Sequence, residues 1–571
     1  MVKGNPKKRQ SLLKLGLLLG SLLLLNIIGN LAYTRIDLTG EGRYTLSKST
    51  RNLLENLEDA VVVKVYLEGD FPPGFQKLQS AILDQLTEMR RYAGGNLQFE
   101  FIDPSDQPDD RTRNELFQQL YKQGLQPTDL QSRDEGGIQR QVIWPGAMVY
   151  YRSKEIAVNF LLGSGAGSSP QEILNASEEA LEFTIANAIK QATQLFKPRI
   201  AFTEGNGELD KVLTSDIGRA LNENYELLRY DINTVEPVPA DVQLLVIAKP
   251  TRPFSEWAKY KIDHFVNRGG RILWLLDAVA AEMDSMTAEN YFMAVTRDLQ
   301  LDDLLFKYGF RVNPYLVQDV RSTSIPIVYG SLGGQPQQRL YPWYYYPLVN
   351  PQSEHPIVRK IDPIAFKFAG TIDFVDAPGV KQTVLLRSSQ QSRVVYAPFR
   401  INLSQATEPG KEEAYNKGGQ PMAVLLEGNF PSFYKSRYFN PFAQRAVDSL
   451  GMKLLENAKP SRMVVVADGD VIANAVRKST GEVYPLGFDR YTNQLYGNKS
   501  FVLNAIDYLL DETGLINVRS KQITLRLLDA KRVKEEKLRW QLLNTVVPIS
   551  LILLFGVVWH WNRKRRFANK K

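Results

Sequence analysis

The chemistry-bearing residues of this chain gather at the ends of apolar runs. "VVVADGDVIAN" closes a β-branched run with Asp468 and Asp470 and adds Asn474. Two carboxylates at i and i+2 beyond a strand could hold a hard cation, or act as acid and base. The same residues also suit a turn, where Asp and Gly are favoured for backbone reasons. "TEGNGELD" offers Glu204, Asn206 and Glu208 after "RIAF", where a parallel sheet presents ligands beyond the carboxyl end of a strand. Gly205 and Gly207 fit neither a P-loop nor a dinucleotide fingerprint, and the two glutamates would repel phosphate. The plainer reading is a tight turn whose Glu208 favours the next helix's N-terminus.

Nucleophilic catalysis has few residues to draw on. The chain has no cysteine and three histidines, His264, His355 and His560. A Ser-His-Asp site would have to use His264 or His355. The first falls in a helical pattern and the second precedes a proline. A Cys/His zinc site lacks its ligands. The residues predict no enzyme, no metal and no cofactor; a carboxylate-dependent hydrolase is the reading that survives on inventory alone.

These residues sit in a chain of 571 residues with a formal charge of +8. Eleven of the positive charges lie in two tails, Lys3 to Lys14 and Arg563 to Lys571, leaving about −3 between them. No global basic field remains to attract nucleic acid. Each tail abuts an apolar run, Leu15 to Tyr33 and Leu542 to Trp561. At roughly 1.5 Å per residue each reaches a hydrocarbon core, and both read as transmembrane helices. A cleaved signal peptide is the rival reading of the first, but no small-x-small site is clear near Asn30 to Tyr33. Without cysteine a lipoprotein anchor is excluded. Basic tails place both termini in the cytoplasm and the bulk of the chain on the periplasmic side of the inner membrane. Pro548 lies inside the second span.

The expected organisation is α/β: a basic tail (1–14), a first membrane helix (15–34), a βαβ domain (36–197) and a parallel-sheet domain (198–526). A juxtamembrane helix (527–541), a second membrane helix (542–561) and a basic tail (562–571) follow. In the first domain "VVVKVYL" and "LQFEFID" flank a helix over 74–93. Residues 138–161 alternate as a hairpin turning at Pro145-Gly146, and a helix covers 171–196. The element order is loosely thioredoxin-like, without the C-x-x-C pair that redox chemistry needs. From Arg199 continuous apolar strands alternate with helices near 209–223 and 255–267, the pattern of a parallel sheet covered on both faces. The segment from about 300 to 420 reads as an insertion. Its "YPWYYYPLV" presents Tyr341, Trp343 and Tyr344, either as a structural aromatic patch or as a platform for a glycan or peptide.

Taken together, "RIAFTEGNGELD", "DVQLLVIAKPTRPFSEWAKYKIDHFVNRGGRILWLLD", "PMAVLLEGNFPSFY", "RMVVVADGDVIANAV" and the stretch from "YGNKSFVLNAIDYLL" to "KEEKLRW" resemble the gliding-motility-associated ABC transporter auxiliary proteins of the GldG family. The resemblance covers nearly the whole chain. It implies a membrane component working with an ABC permease and a separate cytoplasmic ATPase. It also implies a periplasmic domain like class I glutamine amidotransferases, whose active members use a cysteine absent here. Such proteins are often labelled substrate-binding.

The residues agree with that assignment: there is no Walker A sequence, and two helices are too few to form a transport path. Asn26 and Asn30, one turn apart, with Gly16, Gly20 and Gly29, suit contacts between membrane helices. "LLDAKRVKEEKLRWQLL" reads as a charged helix running into the second span, a stiff link that could pass motion outward. The alternative function is a tethered periplasmic receptor for a glycan or peptide, independent of any transporter.

Overall fold

The computed structural model describes residues 14–24, 45–134, 137–161, 169–194, 196–286, 290–332, 335–408, 410, 412–435, 444, 447–477, 479–520 and 530–568. The chain divides into two units, Met1–Lys521 and Gln522–Lys571.

The first unit opens with a small mixed sheet. Its strands are β1 (Val61–Val65), β2 (Leu97–Phe101), β5 (Gly146–Tyr151) and β6 (Lys154–Asn159), in the order β2-β1-β5-β6. β1 runs parallel to β2 and antiparallel to β5. Helix α1 (Lys48–Glu55) precedes β1, α2 (Pro73–Tyr92) joins β1 to β2, and α3 (Asp110–Lys122) follows β2. Helix α2 buries Phe75, Leu78, Ile82, Leu86 and Met89, spaced three or four apart so that they form one stripe. The long α4 (Pro170–Thr193) starts in a capping box, with Ser169 accepting from Glu172 N–H while Glu172 reaches back to the cap.

The hairpin expected at Pro145-Gly146 forms elsewhere. β3 (Thr128–Asp134) pairs with β4 (Gly137–Ile143), and β5 turns into β6 through Arg152 and Ser153. Val142 to Tyr151 is one apolar run interrupted only by Pro145-Gly146, so pattern alone could not separate the end of one hairpin from the start of the next.

The second sheet has seven strands. Five are parallel: β8 (Glu226–Asp231), β7 (Arg199–Glu204), β9 (Val242–Ala248), β10 (Arg271–Leu275) and β13 (Ser461–Val466), side by side in that order. Antiparallel β12 (Pro421–Gly428) and β11 (Val380–Arg387) extend the β13 edge. Val380–Arg387 lies inside the stretch read as an insertion, yet it returns to the central sheet.

Alternate residues of the parallel strands face two cores. Phe202, Val246, Leu275 and Val466 meet helix α7 (Asn498–Leu510), while Ala201, Ile247, Trp274 and Val465 meet α6 (Glu256–Asn267). Helix α5 (Ser215–Asn222) covers the β7–β8 edge and is shorter than the expected span, because Lys211 to Thr214 form a turn before it. Ser255 caps α6 by accepting from Ala258 N–H.

Beyond α7 the chain returns to the first sheet's helices. Leu515 and Val518 are buried in the core that holds Leu46, Leu54 and Ile185. Asp511, 3% exposed in its side chain, accepts from Lys190 of α4 at 3.1 Å and from Ile516 N–H at 2.8 Å. Ser49 of α1 donates to the Thr513 carbonyl.

The second unit contains one helix, α8 (Ala530–Ala568), continuous through Trp540 with Pro548 in its interior. Its Glu536–Arg565 stretch is long and apolar enough to cross a membrane. Near the other end, Lys14–Leu24 is a shorter apolar helix. The remainder of the expected first span, with Asn26 and Asn30, lies outside the described residues.

Candidate functional site

Four charged residues just beyond the ends of buried strands form one polar cluster on the larger sheet. Lys249 follows β9, Asp277 comes two residues after β10, and Asp468 and Asp470 follow β13. Because β9, β10 and β13 are adjacent and parallel, their carboxyl ends share one side. Lys249 Nζ stands 2.8 Å from Asp470 Oδ2, 3.5 Å from Glu282 Oε1 and 3.8 Å from Asp277 Oδ2. The lysine backbone is left-handed, at φ +53°. Gly469 lets it approach: a Cβ there would lie 2.4 Å from Lys249 Cβ.

The carboxylates are held by backbone donors. Gly469 N–H donates to Asp277 Oδ1 at 2.6 Å. Asp468, fully buried, accepts from Lys367 N–H at 2.6 Å and from Asp470 N–H at 2.7 Å. Burial pushes Asp277 up to about 6 against the pull of Lys249. Burial, with Asp470 and Asp277 beside it, raises Asp468 well above the ordinary carboxylate range. Burial alone would lower Lys249, but Asp470 and Asp277 outweigh it and keep the ammonium charged. A lysine so paired is neither a base nor a nucleophile at neutral pH.

Asp470 also lines a cavity of about 700 Å³, walled by Tyr346, Phe488, Tyr491 and Tyr496, with Arg477 and Asn498 among its polar groups. Such a volume suits a small-molecule ligand. Tyr346 belongs to the aromatic stretch from Tyr341, beside the three candidate residues Tyr341, Trp343 and Tyr344. Of the selected aromatics, Trp343 is 1% exposed and packs against Tyr345, while Tyr344 packs edge-on against Tyr415. Tyr341 joins the same cluster partly buried. In the strand Gln335–Val349, Trp343 and Tyr345 are buried in the core, while Tyr346 packs edge-on against Phe368 at the margin of that core and borders the cavity.

The "TEGNGELD" turn is closed on itself. Asn206 is buried; its carbonyl accepts from Thr251 and Arg252 N–H, and its Nδ2 donates to the Pro253 carbonyl. Glu208 Oε2 accepts from Asn206 N–H at 2.7 Å, and burial raises its carboxyl. Its Oε1 is buried without a partner. Glu204 is exposed, 3.7 Å from Arg229. Asn474 ties the loop after β13 to the start of α5: it accepts from Asp216 N–H and donates to the Val212 carbonyl. Asp468 and Asp470 thus join the cavity-side cluster, while Asn206, Glu208 and Asn474 fix loops.

The histidines lie apart from this cluster. His264 is on α6, and burial with Arg268 nearby lowers it to about 4. His355 packs on the Tyr508 ring, and its Nδ1 accepts from Ile357 N–H. Among the described residues no hydrogen bond joins either ring to a serine or carboxylate side chain, and no three His, Asp or Glu group as metal ligands.

Of the missed residues, Lys249 and Asp277 had a signal. "VIAKP" and "LLD" each place a charge directly after a continuous apolar strand, as "VVVADGD" does.

A family model described as an ABC-type uncharacterized transport system matches residues 197–505, more than half of the chain and all of the larger sheet. The chain belongs to this family. The ABC transport-system assignment carries an auxiliary, transport-associated role and association with an ABC transporter, and α8 could anchor such a component in a membrane. A model for a domain of unknown function matches residues 40–150. An uncharacterized protein of Borreliella burgdorferi is 22% identical over 543 residues, covering 93% of this chain and 94% of its own. Among solved structures, one titled "mmIFT52 N-terminal domain" is 13% identical with a TM-score of 0.30, covering 55% of this chain and 96% of that one.

Proposed function

We propose that this chain is a non-catalytic, membrane-anchored periplasmic auxiliary subunit of an ABC transporter associated with gliding motility. In this reading its larger domain binds a ligand and its membrane segments couple that domain to a permease and a separate cytoplasmic ATPase. The observation that carries it is the cavity beside Asp470, within a domain of an ABC transport-system family. The cavity sits where an α/β sheet receives ligands, and its charged neighbours are engaged with one another rather than poised for reaction.

The finer fold assignments belong to the same proposal. The order β2-β1-β5-β6, with β1 and β2 parallel, supports a thioredoxin-like first domain. The five-stranded parallel core supports an amidotransferase-like second domain, in which no cysteine is available for the reaction. Gliding motility rests on the GldG resemblance. Basic tails beside apolar segments support an inner-membrane location with both termini cytoplasmic.

The test is affinity purification of the tagged full-length protein from solubilised native membranes, with mass spectrometry of the chains that accompany it. A polytopic permease and a P-loop ATPase are expected. Recovery of this protein alone, where other membrane complexes survive, would overturn the coupling role and leave a tethered glycan or peptide receptor.

A further inference from the structure

A second cavity, of about 460 Å³, opens between α5 and the edge strand β8. Phe202 and Leu227 form its apolar wall, and three cations line it: Lys211, Arg219 and Arg229. No acidic residue is in the lining.

Two acids beside the cavity are engaged elsewhere. Asp210 accepts from the Val212 and Leu213 N–H groups. Asp216 faces Lys499 at 3.2 Å and accepts from Leu486 N–H. Arg229 is also occupied, donating to the Leu209 and Asp210 carbonyls with Glu204 3.7 Å away. That leaves the charges of Lys211 and Arg219, both exposed, with no acidic partner among the described residues. Two like charges over an apolar wall gain nothing from the protein itself; a dianion between them would be held by charge-assisted hydrogen bonds.

We propose that this cavity binds a phosphate monoester with a short apolar body, its phosphate between Lys211 and Arg219 and its apolar part against Phe202 and Leu227. The site lies on the opposite edge of the parallel strands from β13 and the Asp470 cluster, and does not depend on the ligand reading above. Gly218 keeps the wall open: a Cβ there would meet only Leu227 Cδ1, at 3.8 Å, so a larger side chain would fill the space without a backbone clash.

The test is calorimetric titration of the full-length protein, in nanodiscs of phosphatidylcholine, with hexyl phosphate, inorganic phosphate and hexanol. Hexyl phosphate should bind at least about tenfold more tightly than either fragment, and the Lys211→Glu/Arg219→Glu and Gly218→Leu variants should each lose about tenfold. The thermal midpoint of each variant is recorded alongside. Undiminished binding by the charge-reversed protein, or hexanol equal to hexyl phosphate, overturns the phosphate contact. Inorganic phosphate equal to hexyl phosphate overturns the monoester in favour of a free anion. Should Gly218→Leu fail to fold, the charge-reversed variant still decides.

Discussion

Lys249 Nζ and Asp470 Oδ2 are 2.8 Å apart, joining the carboxyl end of β9 to that of β13 across β10. The pair is mostly buried, at 10% and 19% side-chain exposure, with Asp277 and Asp468 behind it. Lys249→Met keeps the volume but leaves buried carboxylates without their cation. Removing one partner of such a pair costs about 3–5 kcal/mol. A lower thermal midpoint is expected, partly restored by Lys249→Met/Asp470→Asn. A midpoint within a degree of the parent's would show that the lysine is not the counter-ion.

Protonation of the same cluster has a defined sign. Asp277 is raised to about 6, so between its ordinary value and 6 the folded protein holds a proton that the unfolded chain releases. Its contribution to stability is therefore full at low pH and lost as pH rises through about 6. His264 is lowered to about 4, so the folded protein holds less proton than the unfolded chain between about 4 and 6.5, and its contribution grows with pH there. The two slopes oppose. Over this range the parent should lose stability relative to Asp277→Asn as pH rises, and gain relative to His264→Gln. Denaturant midpoints at half-unit pH steps measure both differences; matching signs would refute the assignment.

The "TEGNGELD" turn depends on backbone that only glycine adopts cheaply. Gly207 has φ +78°, and a Cβ there would lie 2.1 Å from Thr251 Oγ1. Gly207→Ala should cost roughly 1–3 kcal/mol, from backbone strain and displacement of the Thr251 loop. Proteolysis or thermal melting reads the effect. An unchanged midpoint would mean the loop reorganises freely.

How much of this was legible follows from what sequence encodes locally. Four of the parallel strands, β7, β9, β10 and β13, announced themselves because their central residues are buried on both faces and read as apolar runs. The helices at 73–92 and 170–193 did so through their spacing and caps. The cluster at Asp470 was half legible: Asp468 and Asp470 were named, but their cation, Lys249, is 221 residues away. Only the strand order brings it near, and no local pattern states strand order. Val380–Arg387 was hidden likewise, since an edge strand inside a long excursion looks like any other strand. Tyr346 was masked by company, because in "YPWYYYPLV" composition cannot separate the ring facing a cavity from those that fill the core.

Asp511 fastens the last residues of the larger domain to the helices of the smaller one. Burial acts to raise its carboxyl, but Lys190, the Ile516 N–H and the Thr513 hydroxyl outweigh this and hold it low. Its contribution is thus present above the ordinary carboxylate value and lost as pH falls through the folded one. Asp511→Ala strands those partners, at about 1–3 kcal/mol for each buried group left unpaired. Limited proteolysis should then cut within 512–520, where Leu515 and Val518 are otherwise buried. Protection equal to the parent's would show that apolar packing alone holds the segment.

The last prediction concerns α8, one continuous helix from Ala530 through Trp540 into its apolar stretch. Trp540 Nε1 donates to Glu536 one turn earlier, a contact that exists only while that turn is helical. Under the coupling proposal, motion of a permease reaches the outer domain only if this helix stays stiff. A Gly/Ser insertion after Lys537 breaks the helical ladder with little loss of tethering length. It should abolish transporter-dependent function while co-purification of permease and ATPase stays at the parent's level. Retained function would mean that α8 merely anchors the chain. Loss of function together with loss of co-purification would move the role of this segment from transmission to assembly.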